Sequence, residues 1–287
     1  MFKCKESQKG GISLVELFSF GPFSVHFFGV TIAAGMIAAL YLATQEAKRV
    51  NLSEDAIFDV VLYSLLGGII GARLLYILVY DPVYYLTNPF EVFRIQAGGL
   101  SIHGGILGGF FLGLWRALRN KLDVWHVADL LAPALILGQA IGRIGCDVFG
   151  VPMDKPFFWG VEQNGQIVHP VQAYELTLNY LLFAWLWTKR KSIHYKGQIF
   201  VHYLIGFSAI RSIVELFRMN PEVLGLLSVS HLLSFVGILT GLLLQQYLKK
   251  RYPLMTREHI PTSLTRTIGI TFLLIIISTG LYYFVQG

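Results

Sequence analysis

Residues 56–80 read AIFDVVLYSLLGGIIGARLLYILVY, an apolar run long enough to cross a bilayer, with an arginine, Arg73, inside it. A transmembrane helix needs roughly 20 mostly apolar residues to span a hydrocarbon core about 30 Å thick. Seven further stretches meet that requirement: 22–44, 98–118, 125–146, 171–188, 198–217, 225–248 and 267–286. The runs at 98–118 and 125–146 are the most interrupted, by glycines and a few polar groups. A single run such as Ile268 to Phe284 would also suit a buried helix of a soluble protein, but eight in one chain would not. The expected fold is all-α: a polytopic transmembrane bundle of about eight spans.

Composition agrees. Of 287 residues, 54% are hydrophobic and 14% charged, against about a quarter charged in soluble domains. The net charge of +6 raises the possibility of nucleic acid, and the positions of the charges remove it. Taking the loops alternately, one set holds fourteen Lys and Arg (Lys48, Arg49, Arg116, Arg119, Lys121, Lys189, Arg190, Lys191, Lys196, Lys249, Lys250, Arg251, Arg257 and Arg266). The other holds six (Lys3, Lys5, Lys9, Arg94, Lys155 and Arg218). Cytoplasmic loops carry the excess, so both termini are expected outside. Two cysteines, Cys4 and Cys146, cannot make a disulfide framework or a zinc site. The N-terminal segment lacks the apolar core and small-residue cleavage site of a signal peptide.

The outward segments 81–97 and 147–170 are rich in aromatics, including Tyr84, Tyr85, Phe157, Phe158 and Trp159. Such residues anchor at headgroup depth; the same composition would also suit loops that hold a lipid or peptide. Arg73, Arg143 and Arg211 fall within spans, where each costs at least about 2.5–3.5 kcal/mol if lipid-exposed, so each must face a protein interior or polar cavity. Glu215, four residues after Arg211, offers an internal ion pair. Three arginines together with His103 between glycines point toward a cavity for an anionic substrate. The pairs Gly67/Gly71, Gly104/Gly108, Gly105/Gly109, Gly109/Gly113 and Gly138/Gly142 have the spacing that lets helix backbones approach. Residues 98–105, GGLSIHGG, hold too much glycine for a uniform helix, and a broken helix lining a cavity is expected there.

Several blocks together resemble the bacterial prolipoprotein diacylglyceryl transferases. Gly98–Gly105 looks like that family's histidine–glycine motif, and Gly142-Arg143-Ile144-Gly145 like the start of its signature. His169-Pro170-Val171-Gln172-Ala173-Tyr174-Glu175 resembles its His-Pro-x-Gln-x-Tyr-Glu segment. Arg211-Ser212-Ile213-Val214-Glu215-Leu216-Phe217-Arg218 resembles its Arg-x-x-Val-Glu-x-x-Arg segment. Gly71-Ala72-Arg73 with Tyr76, and Gly21-Pro22-Phe23-Ser24, fit as well. The signature then departs: Cys146 stands where the family has asparagine, and a short deletion puts Asp147 in register with a glutamate three before Gly150. Phe28 and Phe207 replace usual tyrosines, Ser230-His231 stands where Gly-Gln is common, and the last span is an addition to the family's usual set.

The resemblance implies transfer of diacylglycerol from phosphatidylglycerol to the lipobox cysteine of prolipoprotein signal peptides, forming a thioether and releasing glycerol phosphate. It implies His103, Arg143 and Arg211 as catalytic residues. It also implies a substrate-binding set of Arg73, Tyr76, Asp147, Gly150, His169, Gln172, Tyr174, Glu175, Glu215 and Arg218. A thiol of pKa about 8.5 must give up its proton, for which His103 has the right titration range. The departing phosphate needs forked cationic donors such as arginine. No metal or soluble cofactor is implied; partners are phosphatidylglycerol, prolipoproteins and membrane lipids, with no nucleic acid. Residues 1–248 would form the transferase-like membrane domain, and 249–287 a cytoplasmic linker and extra helix, in a bacterial inner membrane. Two other readings stay open: a paralogue that binds lipid or lipoprotein without transfer, and a transporter of an anionic solute. Against the transporter, the chain shows no duplicated halves with matching broken helices.

Overall fold

The computed structural model describes residues 15–20, 23–80, 82–94, 98–220, 222–224, 227–254 and 263–286. Lys3, Cys4, Lys5, Lys9, Gly21, Pro22, Arg257 and Gly287 lie outside the described residues. The chain is mostly helical. Its long helices are α1 (Phe27–Arg49), α2 (Glu54–Tyr80), α4 (Ile102–Arg119), α5 (Val124–Gly142), α6 (Val171–Lys189), α7 (Gln198–Glu215), α8 (Val229–Arg251) and α9 (Leu264–Gln286), with a short α3 (Pro82–Thr87). Among the described residues, three antiparallel strand pairs accompany them: β1 (Glu16–Phe20) with β2 (Phe23–His26), β3 (Val161–Gln163) with β4 (Gln166–Val168), and β5 (Glu222–Leu224) with β6 (Leu227–Ser228). Asn164 and Gly165, at φ 51° and 78°, form the tight turn of the middle hairpin.

Helix starts follow local chemistry. Ser53 Oγ accepts from Ala56 N, Asp123 Oδ1 from Trp125 N and His126 N, and Ser263 Oγ from Arg266 N, each satisfying an orphan amide of a first turn. Lys or Arg fills the last turn of α1, α4, α6 and α8 and is absent from the last turns of α2, α5, α7 and α9. The alternation of basic loops read from the sequence therefore coincides with alternate helix ends.

Among the described residues, five helices are long and apolar enough to cross a membrane: Phe27–Arg49, Glu54–Tyr80, Val124–Gly145, Val229–Arg251 and Leu264–Val285. The other runs read as spans, 98–118, 171–188 and 198–217, are helical over 102–119, 171–189 and 198–215 but lie outside that set. The physical reason differs between them. α4 is diluted by glycine, while α6 and α7 carry buried Gln172, Glu175, Asn179 and Glu215. The helix expected from residue 98 begins at Ile102. Residues 98–101 are irregular, with Gly98 and Gly99 at φ 88° and 74°, so the break precedes His103 instead of surrounding it.

The chain separates into two compact units, residues 40–127 and residues 1–39 with 128–287. In the first, α2 and α4 run antiparallel in backbone contact: a Cβ at Gly67 or Gly71 would meet the carbonyl oxygen of Gly108 or Gly104. In the second, Gly138 approaches Gly35 in the same way, α7 packs with α8, and α6 with α7 and α9. Gly142 is looser: a Cβ there would lie 3.8 Å from Ile32 Cγ1, an ordinary contact.

Candidate functional site

In the larger unit the site begins where α6 does. His169 and Pro170 lead into Val171, and Gln172, Glu175 and Asn179 fall on one buried side of the helix. Arg143 lies in the 3₁₀ turn Arg143–Gly145 that ends α5, and Arg211 and Glu215 lie in the last turns of α7. These groups converge. Arg143 Nη2 is 2.9 Å from Glu175 Oε1, and Arg211 Nη1 is 3.6 Å from Glu175 Oε2. Arg211 Nη2 is 3.1 Å from Glu215 Oε2, the i,i+4 pair expected from spacing, and Arg218 Nε is 3.8 Å from the same oxygen. Glu175 and Glu215 are almost fully buried, at 2% and 3% exposure, and the arginines remain partly accessible. Three cations surround two anions, so the ion-paired cluster holds one positive charge in excess.

A polar shell fixes Glu215. Asn220 Nδ2 and Ser228 Oγ each donate to its Oε1 at 2.6 Å. Ser228 also caps α8 in a reciprocal arrangement with His231, and Arg211 Nη2 donates to Ser230 Oγ at 3.3 Å. Arg218, beyond the end of α7, is pushed below the usual arginine range by burial and then by Arg211 and Arg143. It stays charged, since guanidinium does not deprotonate in proteins.

Three backbone segments cross beside the cluster. Gly150 N donates to His169 O and Val151 N to Phe217 O, both at 2.9 Å, and His169 N donates to Val151 O at 3.0 Å. A Cβ at Gly150 would meet Phe217 O and lie 2.7 Å from His169 O, so glycine is required for the crossing. His169 Nδ1 is hydrogen-bonded to the Tyr174 hydroxyl at 3.1 Å, which also accepts from Trp159 Nε1 at 3.1 Å. Phe217 packs on both rings. Asp147, just past the turn that holds Arg143, is pushed up to about 6 by burial, partly offset by His26. Arg143 Nη1 also donates to the Cys146 sulfur at 3.3 Å.

Arg73, Tyr76 and His103 lie in the 40–127 unit. Arg73 is buried, and its donors close on backbone carbonyls: Nε on Val92 (3.0 Å), Nη1 on Gly98 and Gly99 (2.9 and 3.0 Å), Nη2 on Glu91 (2.5 Å). Its guanidinium lies 5.2 Å from the Tyr85 ring centre. Gly99 needs both its positive φ and its lack of a side chain, because a Cβ there would come within 2.6 Å of Arg73 Nη1 and 2.7 Å of Tyr76. Tyr76 stacks on Tyr80 at 4.5 Å. His103 is exposed in the first turn of α4. Among the described residues, no group of three His, Cys, Asp or Glu could hold a metal ion.

Sequence reading missed several participants. Ser228 and Asn220 carry no signal beyond the serine before α8, and Ser230 stood out only as a departure from the family's usual pattern. Asp129, buried in α5, accepts from Gly197 N (2.7 Å), Ile199 N (2.7 Å) and Phe200 N (3.0 Å), and so caps the start of α7 from another helix. Its place in an apolar run was the available clue. Tyr282 of α9 donates to Gln172 Oε1 at 3.3 Å, and only the unusual polarity of one side of that helix hints at it.

The family described as prolipoprotein diacylglyceryl transferase matches residues 15–247. A phosphatidylglycerol–prolipoprotein diacylglyceryl transferase of Bacillus mycoides (strain KBAB4) is 34% identical over 232 residues, covering 76% of this chain and 85% of that protein. Proteins of the same name from Bacillus cereus (strain G9842) and Bordetella parapertussis (strain 12822) are 33% and 34% identical, over 75% and 77% of this chain and 84% and 90% of theirs. The matched region holds the arginine–glutamate cluster, the Gly150 crossing and the His103 segment, and on that evidence the chain belongs to the prolipoprotein diacylglyceryl transferase family.

Proposed function

We propose that the protein transfers the diacylglyceryl group of phosphatidylglycerol to the lipobox cysteine thiol of prolipoproteins. The cysteine sulfur forms a bond to the glyceryl carbon, and that carbon's bond to the phosphate oxygen breaks. Glycerol phosphate leaves with the electron pair, and the thiol proton passes to a base. The observation that carries the reading is the charge of the cluster: three arginines around two buried carboxylates leave one positive charge, the complement of a phosphodiester's single negative charge. Arg143 and Arg211, held rigidly by Glu175 and Glu215, bind the phosphate and stabilise charge on the leaving oxygen. His103 takes the thiol proton, its exposure leaving it open to an incoming peptide. Arg73 holds the backbone at Glu91, Val92, Gly98 and Gly99, ahead of His103, and Tyr76 packs beside Gly99. Gln172, His169, Tyr174, Gly150, Asp147 and Arg218 shape the lipid site.

The same reading includes about eight spans in a bacterial inner membrane. α4, α6 and α7 cross with their polar groups turned from lipid, and the N-terminus is outside. Residues 1–248 carry the transferase, and 249–287 add a linker and helix. Gln163→Cys should then react with a membrane-impermeant thiol reagent applied outside the cell, and Lys191→Cys should not; the reverse labelling would invert the topology. The activity is tested by incubating the purified full-length protein with phosphatidylglycerol vesicles and a lipobox peptide. A peptide mass increased by one diacylglyceryl group supports transfer, and lipid binding with an unmodified peptide supports the non-transferring paralogue instead.

A further inference from the structure

α9 lies beyond residue 247, where the family match ends, yet its inward side is built against the site. Thr267, Thr271, Ser278 and Tyr282 are all buried and recur at i, i+4, i+11 and i+15, one side of a helix. Ile268, Phe272, Leu273, Ile276 and Leu281 are exposed. Thr267 Oγ1 donates back to Ser263 O and Thr271 Oγ1 has no hydrogen-bond partner among the described residues, so of these four it is Ser278 and Tyr282 whose hydroxyls join α9 to a neighbouring helix. The Ser278 and Tyr180 hydroxyls are hydrogen-bonded at 2.8 Å, and Tyr282 reaches Gln172. Tyr283 donates to Trp159 O at 2.6 Å, and Trp159 in turn holds Tyr174. The last turns of α9 therefore touch the 169–175 segment directly at Gln172 and reach its Tyr174 through Trp159.

Gln172 is 2% exposed and lies one turn before Glu175 on α6. Its amide has an acceptor end and a donor end. Tyr282 occupies the acceptor, Oε1; Nε2 is buried with no hydrogen-bond partner among the described residues. A buried donor without a partner is costly, and one held in place beside an arginine–glutamate cluster has a use. We propose that Tyr282 is a positioning residue of the transfer site. Its hydroxyl fixes the Gln172 amide so that the Nε2 hydrogens donate to an oxygen of the bound phospholipid. α9 is thus a working part of the site, added to the family's matched region. The inference rests on the transfer reaction proposed above.

The test uses the full-length protein and compares two substitutions at the same helix interface, Tyr282→Phe and Tyr180→Phe, each of which removes one hydroxyl. With rates expressed per folded molecule, Tyr282→Phe should lower kcat/KM for phosphatidylglycerol about tenfold, the size of effect expected for one misplaced buried hydrogen bond. Tyr180→Phe should change it less than about twofold while lowering thermal stability equally. In a Gln172→Ala background, Tyr282→Phe should have no further effect, since its action passes through that amide. Equal rates for the two tyrosine variants, or effects that multiply with Gln172→Ala, would overturn the inference and leave the reaction standing. A parent protein without transfer overturns the reaction and this inference with it.

Discussion

Between α2 and α4 the backbones themselves meet, with Gly67 and Gly71 against Gly108 and Gly104, whereas α6 and α7 are joined through ionised side chains, Glu175 to Arg211. The first contact gains dispersion and close packing without a charge. The second takes ions out of water. A buried ion pair of this kind is often no more stabilising than well-packed hydrophobic residues, yet removing one partner costs about 3–5 kcal/mol. Packing alone therefore accounts for α2 and α4, and it leaves the α6–α7 cluster unexplained. Charge concentrated where it adds little stability points to a ligand that needs it.

The contrast is sharpest for volume changes. Gly71→Val should abolish the folded protein, a loss above about 3 kcal/mol, because its side chain would enter Gly104 O and the Gly108 Cα with backbone on both sides. Gly68→Ala, whose nearest neighbour is Gly105 O at 3.5 Å, should melt in detergent within about 0.5 kcal/mol of the parent. If Gly71→Val folded normally, the account of this pair as a backbone contact would fail. Charge-preserving changes should do the opposite in the other region. Arg143→Lys and Arg211→Lys keep the charge and lose the fork. Transfer should drop on the order of 100-fold, with the yield of folded protein little changed. Well-folded lysine variants working at the parent rate would remove the phosphate clamp.

How much of this was legible follows the same division. The glycine contacts could be read at once, because small-xxx-small spacing is local and Gly67, Gly71, Gly104 and Gly108 all use it. Arg211 with Glu215 was legible for the same reason, being one turn of one helix. Glu175 as the shared partner of Arg143 and Arg211 was not, since nothing in a single sequence says which turns of α5, α6 and α7 come together. Arg73 was legible as a buried charge in an apolar run, but its hydrogen bonds to the backbone carbonyls of Glu91, Val92, Gly98 and Gly99 were not, since they come from a distant stretch of chain. α6 and α7 were legible as helices but fall short of the apolar set, because the residues that make the site also dilute the helices that carry it.

Asp129 is a middle case, a buried charge whose role is structural. Asp129→Asn keeps the shape but weakens three charge-assisted bonds at the start of α7, so stability should fall by about 1–2 kcal/mol. KM for phosphatidylglycerol should stay within about twofold; a large rise in KM would move Asp129 into the site. Asp147 gives a smaller, pH-dependent effect. Its folded value of about 6 lies above the ordinary 3.8, so between them the folded state holds more proton than the unfolded chain. Stability from this group therefore declines as pH rises from about 4 to about 6 and then levels, by about 1 kcal/mol or less given its partly exposed position. Asp147→Asn should flatten that part of the stability profile; an unchanged slope would show that the group does not titrate there.

The smallest effect should come from Cys146, although it lies closest to the charged cluster by chemistry. It is buried and accepts a hydrogen bond from Arg143 Nη1, which invites a covalent role in which the enzyme thiol carries the diacylglyceryl group. The prolipoprotein brings its own thiol, so a second one adds a step without making the phosphate a better leaving group. A thiol this buried also has little access to an incoming carbon. The contact with Arg143 reads instead as packing that holds the guanidinium beside Glu175. Serine is smaller and a better acceptor, and it can keep that contact. Cys146→Ser should therefore transfer diacylglycerol within about twofold of the parent rate, measured on protein of equal folded yield. Loss of turnover in a normally folded Cys146→Ser protein would restore the covalent route. It would also mean that the arginine cluster serves a thiolate of the enzyme as well as the phosphate of the lipid.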